Sequence, residues 1–275
     1  MVQNAFTLNG RTIAITRPRE QAEETSRLIK KYGGKPYSIP TIELKGTNDL
    51  LPIKRFIAEL GKGKIDYVIF MSPNGIRYLL SSAKKLGLEA QLKEYLEKTV
   101  TMAVGPKTAE ELKTHNIHVS LVPAKYSSEG ITQIFQQLDI AGKSIYIPRT
   151  SGATPSLANK LREMGGKVKE IYVYESLLPN DKQLTMKFLQ DLIEGKIRAI
   201  IFSSSLGVKN FFQMLGELVS REKLLDLMNS RLTIIAIGPV TAETLLKMGS
   251  KVDIMPDKYL FEEAIIALAR YWNAK

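Results

Sequence analysis

Residues 10–43 of the chain return, displaced by 132 positions, as residues 142–175, and the same displacement recurs further along. Nothing else constrains the fold as strongly: a 275-residue chain repeated over this length is two copies of one domain plan, not a solenoid of short units. Gly10-Arg11-Thr12-Ile13-Ala14-Ile15 faces Gly142-Lys143-Ser144-Ile145-Tyr146-Ile147, and Arg17 faces Arg149. Gly33-Gly34-Lys35 faces Gly165-Gly166-Lys167, and Phe70-Met71-Ser72 faces Phe202-Ser203-Ser204, with Gly75 against Gly207. The displacement then grows by one, so that Ala103 to Glu110 faces Ala236 to Glu243 and Pro123-Ala124-Lys125-Tyr126 faces Pro256-Asp257-Lys258-Tyr259. Two like domains are expected to face each other across a cleft, a favoured place for a ligand.

Periodicity supplies the architecture. Short apolar or β-branched runs predict strands at 12–16, 37–44, 67–71, 100–104, 119–122, 144–148, 168–175, 199–203, 233–237 and 252–255. Between them apolar residues recur at helical spacing, as in Ala22, Thr25, Leu28, Ile29 and Tyr32, or Leu157, Ala158, Leu161 and Met164 in the duplicate. Strands alternating with helices imply βαβ units and parallel sheets. The fold class is α/β: two similar doubly wound parallel-sheet domains joined by a two-stranded β connector. The segments near 37–44 and 168–175 are long, equivalent in the repeat and mixed in polarity, which suits a connector of two paired strands. The first domain is then discontinuous, 1–39 plus 176–275, and the second is 40–175.

Composition removes several function classes. The chain has no cysteine, so disulfides, thiolate nucleophiles, iron–sulfur ligation and zinc–thiolate sites are excluded together. It has two histidines, His115 and His118, in a connection after a helix, where they read as exposed loop residues. No metal site and no cofactor are expected. Gly61-Lys62-Gly63-Lys64 is too short for a phosphate loop and reads as a turn, and no nucleotide-loop, nucleophile-elbow or zinc-protease motif occurs. No apolar run is long enough to span a membrane, and Met1 to Phe6 lacks the pattern of a secretory signal, so a cytoplasmic protein without a membrane partner is expected. The formal charge of +11 fits an anionic partner, but the lysines and arginines are scattered along the chain rather than clustered with aromatics.

The residues that carry chemistry lie in strand-to-helix turns, and the turns are duplicated. In Gly105-Pro106-Lys107-Thr108 and Gly238-Pro239-Val240-Thr241, Gly permits a tight turn, Pro suits the first helical position, and Thr sets a hydroxyl beside unpaired backbone N–H groups. Ser72-Pro73-Asn74-Gly75, Ser203-Ser204-Ser205-Leu206-Gly207 and Tyr126-Ser127-Ser128-Glu129 add hydroxyls at other helix starts. One such turn is ordinary helix capping. Several at the carboxyl ends of strands in two like domains make an anion-binding site, because free donors and positive dipole ends converge there.

Taken in order, Phe70 to Gly75, Ala103 to Ala109, Ser127 to Gly130, Pro148-Arg149, Val173-Tyr174, Phe202 to Ser205 and Ile237 to Ala242 resemble the uroporphyrinogen-III synthase family over nearly the whole chain. The resemblance implies a cofactor-free lyase of porphyrin and heme biosynthesis. Its substrate is hydroxymethylbilane, a linear tetrapyrrole with eight carboxylates, and its product is uroporphyrinogen III, closed with ring D inverted. It implies loss of the substrate hydroxyl to an azafulvene, attack by ring D through its substituted α-carbon, and a spiro intermediate that recloses inverted. The family fold also puts the N-terminal strand–helix unit with the C-terminal domain.

Carried onto this chain, the resemblance makes Tyr174 the acid that protonates the departing hydroxyl, with a purely structural tyrosine as the other reading. Substrate contacts fall on Ser72, Asn74, Gly105, Lys107, Thr108, Tyr126, Ser127 and Ser128 in the first half and on Ser203, Ser204, Ser205, Gly238, Val240 and Thr241 in the second. Arg149 and its repeat partner Arg17 are either carboxylate ligands or structural cations. Leu260-Phe261-Glu262-Glu263 replaces the polar cap of Ser127 to Gly130, so that turn is expected to bind carboxylate in the first half alone. The enzyme that makes the bilane is a candidate partner, and a monomer is expected. Two other readings stand beside this one: a non-catalytic binding or sensor module for anionic small molecules on the same two-domain plan, and a nucleic-acid binder, which the dispersed charge disfavours.

Overall fold

The computed structural model describes residues 6–274. In chain order its strands are β1 Thr12–Ile15, β2 Lys35–Ser38, β3 Glu43–Gly46, β4 Tyr67–Phe70, β5 Val100–Ala103, β6 Ser144–Thr150, β7 Lys167–Leu177, β8 Ile197–Phe202 and β9 Thr233–Ala236. Its helices are α1 Arg19–Lys31, α2 Leu51–Gly61, α3 Pro73–Lys85, α4 Glu89–Glu97, α5 Pro106–Thr114, α6 Ser128–Gln136, α7 Ser156–Glu163, α8 Lys182–Ile193, α9 Ser205–Gly216, α10 Arg221–Arg231, α11 Pro239–Lys247 and α12 Phe261–Asn273. Two compact units result: a continuous one, Leu44–Ser176, and a discontinuous one, Met1–Glu43 with Leu177–Lys275. The divisions fall at 43/44 and 176/177, where the sequence placed them at 39/40 and 175/176.

The discontinuous unit holds a sheet in the order β2-β1-β8-β9, with every pair parallel. Alternation along its strands sends Ala14, Ile200 and Ile234 to a layer with Phe188, Phe211 and Leu224, and Ile13, Ile15, Ile201 and Ile235 to a layer with Ile29, Ile265 and Leu268. Apolar residues on both faces of each strand are what a parallel sheet covered by helices requires. Each of these isoleucine, leucine and phenylalanine side chains, wholly buried, stabilises the unit by roughly 1.5–3 kcal/mol.

The continuous unit repeats this plan in the order β3-β7-β6-β4-β5. Val68, Phe70 and Ala103 pack with α2 to α5, while Ile69, Met102, Ile145 and Ile147 pack with α6 and α7. Helix α1 and its duplicate α7 both stop at paired glycines. Gly33 and Gly165 take left-handed φ values of 73° and 88°, and a Cβ at Gly34 would lie 2.8 Å from Leu8 Cδ1. Glycine alone satisfies both demands.

Three strand expectations are corrected. The run 119–122 forms a single bridge, Leu121 with Met102, and 252–255 does the same, Ile254 with Ile235. Each ends at a proline, Pro123 or Pro256, which cannot donate to a ladder. The run 37–44 is not one strand: β2 and β3 are separated by Ile39-Pro40-Thr41-Ile42, and belong to different sheets. Pro40 again removes a donor, and Thr41 turns inward, its hydroxyl donating to Thr16 O at 3.0 Å while its carbonyl accepts from Asn210 Nδ2 at 2.7 Å. The equivalent 167–177, with no proline, remains one strand and neighbours β3.

Candidate active site

In the continuous unit three helix starts follow the carboxyl ends of strands. After β4, Ser72 caps α3, accepting from Gly75 N at 3.2 Å, and Pro73 takes the first helical position. After β5, Gly105 begins α5 with no side-chain cap; the Thr108 amide donates to Gly105 O at 3.1 Å, which leaves the Lys107 amide as the uncapped donor of the first turn. Thr108 in that turn is buried at 3% exposure, yet no described residue bonds its hydroxyl. Its oxygen is not wholly enclosed and keeps access to solvent, whereas Arg149 Nε is, among the described residues, the one fully buried side-chain polar atom without a partner. After the bridge at Leu121, Ser127 caps α6, accepting from Gly130 N at 3.3 Å, and the Ser127 hydroxyl and the Glu129 amide hold the Glu129 carboxyl below its usual range. Tyr126 is exposed and lies over Gly105, where a Cβ would come within 3.1 Å of its own Cβ.

Tyr174 reaches this group from β7. Its hydroxyl lies 3.4 Å from Ser72 Oγ, and its ring stacks on Tyr78 with centroids 5.1 Å apart and planes 18° from parallel. The Tyr78 hydroxyl donates to Leu44 O at 3.0 Å, which anchors the stack on β3. Tyr174 is 8% exposed, so a fixed phenol stands beside the positive end of α3.

Arg149 is not presented to solvent. It is the penultimate residue of β6, with 9% exposure, and donates through NH1 to Glu170 Oε1 at 2.6 Å, in a pair whose two side chains are equally buried. Arg17 is likewise engaged: it donates to Thr25 Oγ1 at 3.0 Å and Gln21 Oε1 at 3.1 Å, and its guanidinium lies 4.4 Å from the centre of the Phe261 ring. Both arginines therefore have internal partners where the sequence left two readings open.

The discontinuous unit repeats the backbone of the turns with different side chains. Ser204 caps α9, accepting from Gly207 N at 3.1 Å, with Ser203 and Ser205 partly exposed on either side. Gly238 begins α11 without a side-chain cap, and Thr241 is buried at 5% with no described partner for its hydroxyl. Beside these donors stand exposed apolar side chains: Leu206, Val240 at 65% exposure, Tyr259 and Leu260. Their repeat counterparts are Asn74, Lys107, Tyr126 and Ser127. The sequence reading did not include Leu206, Leu260 or Tyr259 among the contacts; the signal for the two leucines is an apolar residue at a turn position whose duplicate, Asn74 or Ser127, is polar, and for Tyr259 it is its identical duplicate Tyr126. Thr41 Oγ1 lies 3.0 Å from where a Cβ on Gly207 would sit, so the buried threonine packs against the start of α9.

His115 is tied to Glu111 at 3.2 Å, and Arg77 holds the Glu111 carboxyl below its usual range. Among the described residues no group of three or more histidine or acidic side chains is placed to hold a metal ion. The chemistry available is thus anion binding by amides, hydroxyls and Lys107, with one buried phenol as proton donor.

Residues 23–266 match the profile of a family described as uroporphyrinogen-III synthase HemD. The chain is 31% identical to a putative uroporphyrinogen-III synthase of Methanothermobacter thermautotrophicus, over 94% of this chain and 97% of that protein. It is 29% identical to the uroporphyrinogen-III synthase of Chlorobaculum parvum, over 90% and 94%. Among solved structures, a mutant uroporphyrinogen III synthase from Thermus thermophilus superposes with a TM-score of 0.65 at 21% identity, covering 96% of this chain and all of the other. The Helicobacter pylori uroporphyrinogen-III synthetase gives 0.60 at 22%, over 95% and 99%. These two establish the shared two-domain α/β fold.

Proposed function

The chain belongs to the uroporphyrinogen-III synthase family, and on that premise we propose that it is the cyclising lyase that converts hydroxymethylbilane to uroporphyrinogen III, inverting ring D and releasing water. The observation that carries the reading from family to site is the pair of open helix starts at Gly105 and Gly238, each with a buried threonine hydroxyl that no described residue satisfies. One uncapped amide and one threonine hydroxyl at each positive helix end suit carboxylates, and the substrate is a polycarboxylate. In the continuous unit Ser72, Asn74, Lys107, Thr108, Tyr126, Ser127 and Ser128 take carboxylates. In the discontinuous unit Ser203, Ser204, Ser205 and Thr241 supply donors, while Leu206, Val240 and Tyr259 meet the apolar faces of pyrrole rings. Arg149 and Arg17 stiffen their strand ends through the partners described above and are not assigned to substrate.

Tyr174 is the acid. As a pyrrole nitrogen pushes its electron pair toward the hydroxymethyl carbon, the C–O bond breaks and the phenol proton leaves with the hydroxyl as water. The phenolate recovers a proton from the α-carbon of the ring that closes the macrocycle, so no cofactor is needed to balance the sequence. Holding and folding the chain supply the remainder of the acceleration. The protein works as a cytoplasmic monomer fed by the enzyme that makes the bilane; among the described residues no helix is long and apolar enough to cross a membrane. The test of turnover is the rate at which hydroxymethylbilane disappears: added protein accelerates it over spontaneous closure, and an unchanged rate overturns the enzymatic reading in favour of a binding module.

A further inference from the structure

The carboxyl ends of the strands absorb the chemistry proposed above. The amino ends of the discontinuous unit's sheet hold something else: a cavity of about 360 Å³ lined by Arg11, Arg198, Arg231, Thr233, Tyr271 and Trp272. The three arginines lie at or just before the amino ends of three adjacent strands, β1, β8 and β9. Arg11 directly precedes β1, after Asn9 and Gly10 have turned the chain with φ values of 50° and 67°. Arg198 lies on β8 where the ladder with β1 skips a residue, Thr12 pairing with Ile197 and Ile13 with Ala199, so the irregularity aims its side chain outward between two buried neighbours. Arg231 ends α10, just before β9.

The pocket is held open from below. Trp272 Nε1 donates to Thr233 Oγ1 at 2.9 Å, the Arg11 guanidinium lies 4.7 Å from the centre of the Trp272 ring, and Arg231 NH1 donates to Ile193 O at 2.5 Å. Among the described residues no carboxylate pairs with any of the three arginines. Asp253, which meets the Tyr271 hydroxyl at 3.5 Å, is engaged by Lys251 at 3.2 Å and by Ile234 N at 2.8 Å.

The duplicated half shows what a closed version looks like. Arg11 corresponds to Lys143 and Arg198 to Asp66, and there Lys143 and Asp66 form an ion pair at 3.3 Å while Asp66 also accepts from Ser144 N at 2.8 Å. Exchanging that acid for arginine removes the internal counterion and adds a second cation. Converging guanidiniums without a counterion repel one another, and their planar forks fit carboxylate or phosphoryl oxygens in pairs.

We propose that this cavity is a second binding site, for a compact oxyanion carrying two or more negative charges on carboxylate or phosphoryl groups. It lies at the opposite ends of the strands from the turns assigned to substrate and does not depend on that assignment. Trp272 is the chain's single tryptophan, so its emission reports the site alone. Titration of the full chain with pyrophosphate, and separately with citrate, at constant ionic strength is expected to give a saturable change in Trp272 emission with at least one of them. Which probe answers separates phosphoryl from carboxylate preference. Arg198→Asp, which restores the closed arrangement of the other unit, is expected to weaken that binding about tenfold or more. Arg198→Ala does the same without adding an acid, and circular dichroism shows whether either variant is folded. No saturable response to either probe, or an undiminished response in both folded variants, overturns the proposal.

Discussion

The two units share a backbone and differ in what they display on it. Both keep glycine and proline at the open helix starts, a buried threonine behind them, a serine cap beside a crowded glycine, and an exposed tyrosine at Tyr126 or Tyr259. Yet Asn74, Lys107 and Ser127 of the continuous unit are Leu206, Val240 and Leu260 in the discontinuous one. At the other ends of the strands a closed ion pair has become an open arginine cluster. The duplicated turns keep the uncapped Gly-Pro helix starts and the buried threonines, and differ in the side chains around them. On the proposed function, the polar side chains of one unit meet carboxylates and the apolar ones of the other meet ring faces.

The largest effect is expected at Tyr174, whose repeat counterpart is Ile42 and therefore has no phenol. Tyr174→Phe keeps the stack on Tyr78 and removes only the proton donor. We expect kcat to fall about a hundredfold with KM little changed, measured by steady-state kinetics on fresh bilane. A variant with near-wild-type kcat would leave Tyr174 a structural residue like its counterpart.

Next in size is the exchange of Lys107 and Val240. Lys107→Val gives the continuous unit the other's surface, and KM is expected to rise about tenfold, less so at high salt, because a charge-assisted contact to carboxylate is lost. Val240→Lys in the discontinuous unit should not lower KM if that surface meets ring faces. Equal and opposite effects from the two variants would show that the turns are interchangeable and would end the division of labour.

The architecture was legible because duplication and punctuation are local signals. Gly33 and Gly165 mark helix ends, and the Gly-Pro-x-Thr turns announce helix starts from four residues alone. What escaped the sequence depends on pairing across the sheet. The Arg149–Glu170 contact exists because β6 and β7 run side by side, and Ser72 meets Tyr174 across 102 positions of chain. The break of the 37–44 strand turned on Pro40, whose lost donor outweighed a favourable apolar pattern. Of the exposed apolar residues at the turns of the discontinuous unit, Val240 was named from the sequence, and Leu206 and Leu260, which have polar duplicates, were not.

A smaller effect concerns the caps. Ser127→Leu copies the discontinuous unit and removes the acceptor for Gly130 N, at a cost of about 1 kcal/mol, or roughly 2–4 °C in Tm by calorimetry. Leu260→Ser should raise Tm by a smaller amount. If neither moves, the caps are not what distinguishes the two helices.

The smallest effect is on a device both units retain. Glu59 and Asp191 are repeat partners, each bonded to a tyrosine and a lysine. The Tyr146 hydroxyl, then Lys169, holds the Glu59 carboxyl below its usual value; Lys196, then Tyr37, does so for Asp191. Burial and Asp191 push the Tyr37 phenol up to about 12, so it remains a donor. A carboxyl depressed by folding contributes stability that is complete above its unfolded value, near pH ~4, and is lost as pH falls through the folded value. Denaturant unfolding between pH ~5 and ~2 should therefore show a shallower decline in Glu59→Gln and in Asp191→Asn, by similar amounts. Unequal slopes would mean that this device too has diverged.

The most direct test of the account is the identity of the ring that forms. Hydroxymethylbilane is incubated with and without the protein, and the oxidised products are separated as type I and type III uroporphyrins. Spontaneous closure supplies type I as an internal reference. The account predicts predominantly type III with protein present, because an ordered site must hold the chain while ring D inverts. Type I alone, from folded protein at saturating substrate, would contradict it.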